Sequence, residues 1–222
     1  MSDEHRIGIL GSGDVARGLG TALLRAGCQV MLGARTANKD ALLSWAEENG
    51  IDARAGTFAE AAEFGTELVL NCTAGAHSLT ALADLGDALR GKTLLDVANP
   101  LDFSQGMPPR PTIPGGDSLG EQIQRALPET QVVKGLNTVA SAVMVNPSAI
   151  PELHHLFLCG NDAAAKARVC AFLRQRLGWQ ETSFLDLGDI TAARTTEAYA
   201  PLLLQLFATL QTPLTSIRVV HG

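Results

Sequence analysis

Arg6-Ile7-Gly8-Ile9-Leu10-Gly11-Ser12-Gly13-Asp14-Val15-Ala16 is a short apolar run that breaks at a glycine and opens directly into helical periodicity. Its second half fits G-x-G-x-x-A. Gly11 permits a tight turn after the strand, Gly13 lets the backbone approach a ligand, and Ala16 keeps the helix close to the strand. The unpaired amides of the helix start, at the positive end of its dipole, suit a pyrophosphate. Such a match is weak by itself. Here it sits between a strand and a helix, which is the context a dinucleotide turn needs. The competing reading is a glycine-rich turn with no ligand, and Gly18 and Gly20 further on read as packing positions.

Working outward, the helix runs from about Asp14 to Ala26 and stops at Gly27. The second strand, Gln29 to Gly33, ends in Leu32-Gly33-Ala34-Arg35. NAD-binding turns place an acid about 20 residues after the glycines to accept from the ribose 2′-hydroxyl. No acid occurs here before Asp40. Arg35 and Lys39 instead offer positive charge to a 2′-phosphate, and Arg can also stack on adenine. This favours NADP over NAD, unless both are only solvated loop charges.

Short apolar runs and helical stretches keep alternating, which implies βαβ units and a parallel sheet. Asn38 caps a helix to about Glu48, a weak strand includes Ala53-Arg54-Ala55, and Thr57 with Glu60 forms a capping box. Strands follow at Glu67–Cys72, Lys92–Val97 and Gln131–Leu136, with helices at Ser78–Leu89 and from Ser118 to Ala126. Residues 99–116 hold five prolines and read as a long loop without strand or helix. Further on come a strand at His155–Cys159, a helix opened by Asn161-Asp162 and running to Leu177, and a strand near Gln180–Leu185. A last helix, Asp189–Leu210, contains Pro201, which is expected to kink or interrupt it. The expected fold is α/β: a doubly wound, Rossmann-type, mainly parallel sheet in residues 1–145. Residues 146–222 form a C-terminal α/β extension of the same compact unit.

The chain has 222 residues, of which 46% are hydrophobic and 18% charged, with a net charge of −6. That is enough apolar material for a real core and too little charge for a disordered chain. No basic run or stripe supports a nucleic-acid partner. No apolar run reaches the roughly 20 residues of a membrane span, and the polar start does not resemble a signal peptide, so the cytoplasm is the expected location. Cys28, Cys72, Cys159 and Cys170 form no C-x-x-C pair and read as buried thiols, without disulfides. His154-His155 opens a strand, so the two side chains point to opposite faces and no metal site is expected.

In combination, several segments resemble the deazaflavin (coenzyme F420)-dependent NADP oxidoreductases. They also resemble the cytosolic reductase domains of the six-transmembrane epithelial metalloreductases. The segments are Ile7 to Gly20, Gly33-Ala34-Arg35 with Lys39, Asp96-Val97-Ala98-Asn99-Pro100, Val132-Val133-Lys134-Gly135-Leu136-Asn137-Thr138, and the last helix with Asp186-Leu187-Gly188 before it. The resemblance implies a site for NADP(H) built by Gly11, Ser12, Gly13, Asp14, Val15, Ala34, Arg35, Lys39, Cys72, Thr73, Ala74, Asn99 and Asn137. The family often has Ser where Ala34 stands, so Arg35 must carry more of the selectivity. The resemblance also implies a flavin or deazaflavin as co-substrate.

Hydride transfer asks little of side chains beyond alignment and exclusion of water. His77 and Asn137 are the candidate catalytic groups. His77 reads either as a proton source near the nicotinamide or as a loop histidine without a chemical role. Asn137 either bonds the carboxamide or acceptor, or bonds its own turn. Asp96 is expected to bond neighbouring backbone amides. The Tyr-x-x-x-Lys pair of short-chain reductases is absent, since Tyr199 is the only tyrosine and Leu203 stands four residues on. Three functions remain: an NADPH-dependent oxidoreductase acting on a flavin-like or deazaflavin acceptor, an imine or carbonyl reductase of a small metabolite, and a non-catalytic NADP-binding sensor. The Leu- and Ala-rich last helix is expected to form a homodimer.

Overall fold

The computed structural model describes residues 6–37, 40–113, 115–220 and 222. The expected caps and charges at Asn38 and Lys39 lie outside them. The first strand, β1 (Arg6–Leu10), leads through the glycine turn into α1 (Asp14–Arg25). Then follow β2 (Gln29–Ala34), α2 (Asp40–Asn49), β3 (Ala53–Thr57), α3 (Phe58–Phe64) and β4 (Leu68–Asn71). Thr57 caps α3 by the expected box, accepting from the Glu60 amide while the Glu60 carboxylate accepts from the Thr57 amide. The chain continues with α4 (Gly75–Leu82), α5 (Gly86–Leu89) and β5 (Thr93–Asp96). After the short strands β6 (Leu101–Asp102) and β7 (Arg110–Pro111) come α6 (Leu119–Ala126), β8 (Gln131–Lys134) and α7 (Ser141–Val145). The last third supplies β9 (Leu156–Gly160), α8 (Ala163–Leu177), β10 (Phe184–Asp186) and α9 (Ala193–Leu210).

Eight strands form one sheet in the order β10-β9-β8-β5-β4-β1-β2-β3. Every pairing in it is parallel except β8 with β9. The chain moves outward from β1 to β3, then crosses back to β4 beside β1, so the strand order reverses between β1 and β4. Both faces are covered. One side packs Leu19 and Leu23 of α1, Trp45 of α2 and Val169 and Leu173 of α8 against Ile7, Ile9 and Leu32. The other packs Ala61 of α3, Leu82, Leu89 and Ile123 of α6 against Leu10, Val69 and Leu94. Two-sided burial explains why the central strands read as continuous apolar runs rather than alternating ones.

Several expected boundaries shift. The single helix expected over Ser78–Leu89 begins at Gly75 and divides into α4 and α5. Ser78 is buried, and its hydroxyl lies 2.6 Å from Thr73 Oγ1 and accepts from Asn71 Nδ2 at 3.4 Å. The proline-rich loop is not free of strand structure, because β6 and β7 pair antiparallel across it. Pro201 does not interrupt α9, which runs unbroken through it. A proline there costs about 3 kcal/mol locally, but Glu197, Ala200 and Leu203 on either side of it are buried and hold the helix in place. The strand near Gln180 is shorter than expected: a 3-10 turn takes Glu181–Ser183, and only Phe184–Asp186 pairs with β9.

Candidate active site

The carboxyl ends of β1 and β4 meet at the reversal point, where open α/β sheets form their ligand crevice. Gly11 ends β1 at φ +140°. Its amide donates to Gly33 O at 2.8 Å, and the Cys72 amide donates to Leu10 O at 2.8 Å. A side-chain carbon at Gly11 would stand 2.5 Å from Cys72 O, so the β1–β4 junction admits only glycine there. Gly13 is the N-cap of α1 and supplies no side-chain bond, leaving the first-turn amides open. A side-chain carbon on Gly13 would meet nothing within 4 Å. Gly75 is the second tight point. A side-chain carbon there would fall 2.1 Å from Asn99 O, so the β4–α4 turn sits directly on the turn after β5.

Two cavities lie along this edge and share Cys72, Thr73, Ala74 and His77. The wider, about 740 Å³, includes Gly11, Ser12, Gly13, Ala34 and Arg35. The second, about 510 Å³, includes Val15, Asn99 and Asn137. The groove therefore brings together all the site residues read from the sequence except two. Lys39 lies outside the described residues. Asp14 begins α1 with its side chain in solvent, paired with Arg17 at 2.5 Å. Thr36, Thr57 and Phe58 at the wide end, and Phe103 with the α9 residues Leu203 and Phe207 at the other, were not among the expected site residues. The glycine turn is a local signal, but nothing local shows which loop or helix folds over the far end.

Asn99 and Asn137 are joined reciprocally. Asn99 Nδ2 donates to Asn137 O at 2.8 Å, and Asn137 Nδ2 donates to Asn99 Oδ1 at 3.1 Å. That pair fixes the Asn137 amide. Its Oδ1 is buried and makes no hydrogen bond. A buried acceptor left in that state costs about 1–3 kcal/mol until a donor reaches it.

Beneath the groove runs a buried polar chain that the sequence does not reveal. Lys134 Nζ, fully buried at the end of β8, donates to Asp96 Oδ2 (2.8 Å), Glu197 Oε1 (2.8 Å) and Ala98 O (2.6 Å). Burial pushes the lysine pKa down, but the two carboxylates outweigh it and the net shift is upward. Asp96 Oδ1 accepts from Asn71 Nδ2 (2.8 Å) and from the Ala98 amide (3.2 Å). Asn71 Oδ1 in turn accepts from the Thr73 hydroxyl (2.7 Å) and amide (3.2 Å). Glu197 also accepts from the amides of Leu119 and Gly120 at the start of α6. The chain thus ties α9 and α6 to the Thr73 ledge. Asp96 bonds a neighbouring amide, as expected, but the lysine is its principal partner.

The remaining candidates lie elsewhere. His154 Nδ1 bonds Glu152 O, and His155 Nδ1 accepts from the Val219 amide, both at 2.9 Å. The four cysteines are free. Burial raises Cys170 to about 11 and Cys159 to about 12, and holds Cys72 well above the usual thiol range, so none is an activated nucleophile. Among the described residues, no helix is long and apolar enough to cross a membrane.

Residues 6–100 match the family model described as NADP oxidoreductase, coenzyme F420-dependent. A solved structure from Arthrobacter sp. FB24, described as a candidate F420-dependent NADP reductase, is 42% identical. It covers 97% of this chain and 99% of its own, with a TM-score of 0.88. The F420-dependent NADP reductase of Methanocaldococcus jannaschii is 30% identical over 146 residues, 65% of this chain and 64% of that protein. Metalloreductase STEAP3 of Rattus norvegicus is 31% identical over 199 residues, 88% of this chain but only 36% of the rat protein. The chain thus spans about a third of the metalloreductase and under two thirds of the archaeal reductase.

Proposed function

The chain belongs to the F420-dependent NADP oxidoreductase family, and on that premise we propose that it holds NADPH along the groove and passes hydride to a flavin-like or deazaflavin acceptor. The observation that carries this reading is the buried, unsatisfied Asn137 Oδ1 at the cavity wall. An acceptor fixed there by Asn99 suits the amide of a nicotinamide carboxamide. At the opposite end, the open first-turn amides of α1 suit a pyrophosphate and Arg35 suits a 2′-phosphate. The residues present therefore fit NADP(H) from end to end.

When bound, NADPH supplies the hydride; the chain supplies position, exclusion of water and a proton. Gly11, Ser12 and Gly13 would hold the phosphates, and Cys72, Thr73 and Ala74 line both cavities. Thr73 is itself set by the Asn71–Asp96–Lys134 chain. Asn137, held by Asn99, would accept a hydrogen bond from the carboxamide and so help to orient the nicotinamide. Phe207 and Leu203 close the far side against water. His77, exposed at the rim common to both cavities, relays a proton from solvent to the reduced acceptor.

The test is NADPH oxidation against FMN, FAD, riboflavin, a deazaflavin and ferric chelates. Turnover with a flavin-type ring is expected. Binding of NADPH without oxidation by any of them would replace the reductase with an NADP-binding sensor.

A further inference from the structure

At the opposite end of the sheet from the groove, the amino ends of β1, β4 and β5 and one face of α8 enclose a cavity of about 330 Å³. Arg168, Phe172 and Arg176 share that face because residues four apart on a helix lie one above the other. Arg6, the first residue of β1, lines the cavity from the sheet side. A chain with a net charge of −6 thus places three arginines around one hollow, and Glu67 is the one acid among the described residues lining it. The two α8 guanidiniums bond only neutral groups. Arg168 Nε and Nη2 donate to Thr93 Oγ1 at 3.2 and 3.1 Å, and Arg176 Nη1 donates at 3.2 Å to the carbonyl of Ala26, the C-cap of α1. Among the described residues neither guanidinium forms an ion pair. Thr93 is only 1% exposed, and its hydroxyl oxygen accepts from Arg168, so its own proton has no acceptor among the described residues. A buried hydroxyl in that state is unfavourable until an acceptor reaches it.

We propose that this cavity is a second ligand site, separate from the nucleotide groove, and that it takes a phosphate group. What Arg168, Arg176 and the Thr93 hydroxyl leave unbonded are donors, so the ligand is an acceptor. Two guanidiniums without a carboxylate partner call for an anion. A phosphate answers better than a carboxylate, because it carries close to two charges and three acceptor oxygens for three separate donors. Ile7, Leu68 and Phe172 supply an apolar wall beside the arginines, against which the small organic part of a phosphate ester can pack.

Calorimetric titration of the full chain with inorganic phosphate and, separately, with glycerol 3-phosphate tests this. Sodium chloride holds the ionic strength constant, and NADP+ is present to fill the groove. A saturable site with a Kd below about 1 mM is expected for at least one of the two. Tighter glycerol 3-phosphate would assign the site to a phosphorylated small molecule and tighter inorganic phosphate to the free ion; either supports the proposal. Arg168→Gln should weaken binding by about tenfold, the effect of losing one charge-assisted bond. Arg176→Gln, with thermal melting of both variants as the control for folding, should act in the same direction. Arg35→Ala should leave the affinity unchanged, which separates this site from the nucleotide groove whether or not NADP+ binds there. Absence of saturable binding up to about 10 mM of either probe would overturn the proposal. So would wild-type affinity in folded Arg168→Gln and Arg176→Gln, or loss of the site in Arg35→Ala.

Discussion

Arg35 is exposed at the end of β2, on the wall of the wide cavity beside Thr36. Ala34, before it, is nearly buried and offers no hydroxyl, so the guanidinium is the main described group for a 2′-phosphate. Arg35→Ala should raise the NADPH Kd by about 10- to 100-fold and change the NADH value by less than about threefold, measured by calorimetric titration. Parallel losses would mean that Arg35 does not read the phosphate. Asn137 acts at the other end. Asn137→Ala removes the free acceptor together with the bond to Asn99, and NADPH should bind about tenfold more weakly, with the AMP half of the cofactor unaffected. Equal weakening of an adenosine-2′,5′-bisphosphate probe would place the effect in the fold instead.

At the scale of elements, the Lys134 chain sets how α9 and α6 sit on the sheet. Removing the lysine strands two buried carboxylates. Lys134→Met should therefore destabilise the protein by about 3–5 kcal/mol in urea unfolding. A loss below about 1 kcal/mol would show that the carboxylates find other partners. The raised lysine pKa also fixes a sign. Its contribution to stability is fully present below the unfolded value of about 10.4 and is lost as pH rises through the higher folded value. The start of α6 behaves in the opposite sense. Asp117, hydrogen-bonded by Arg125, falls to about 2, and Glu121 is lowered by its bond from Arg194. Their stabilisation is present above the ordinary carboxylate pKa and disappears as pH drops towards 2. Asp117→Asn should flatten the fall of Tm between pH 4 and 2; an unchanged slope would assign acid unfolding to other carboxylates.

Across the whole molecule, the same reversal of strand order that forms the crevice also brings the ends of β1, β4, β5 and β8 to one edge. There, turns far apart in sequence meet. Residues of α9, about 190 positions after the glycine turn, complete the wall of the 510 Å³ cavity. The outer face of α9 exposes Leu202 and Leu210, and Leu214 and Val220 follow it. We propose that this apolar face pairs two copies of the chain. Sedimentation equilibrium at micromolar concentration should give a dimer, and monomer alone would refute it.

Some of this was legible in the residues. The apolar run before Gly11, the positive-φ turn it requires and the missing acid before Asp40 are local facts, because turn conformation and charge depend on neighbours in sequence. They sufficed for the doubly wound sheet and for NADP as the cofactor of the family. Other features were invisible for a physical reason. Lys134 looks like a strand-end charge until Asp96 and Glu197, 38 and 63 positions away, converge on it. Pro201 looks like a helix break until the buried residues around it hold α9 together. The sequence by itself determined the glycine turn and what its amides can bind. The tertiary structure alone decided what stands at the far end of the groove, because that wall is assembled from residues whose proximity only folding creates.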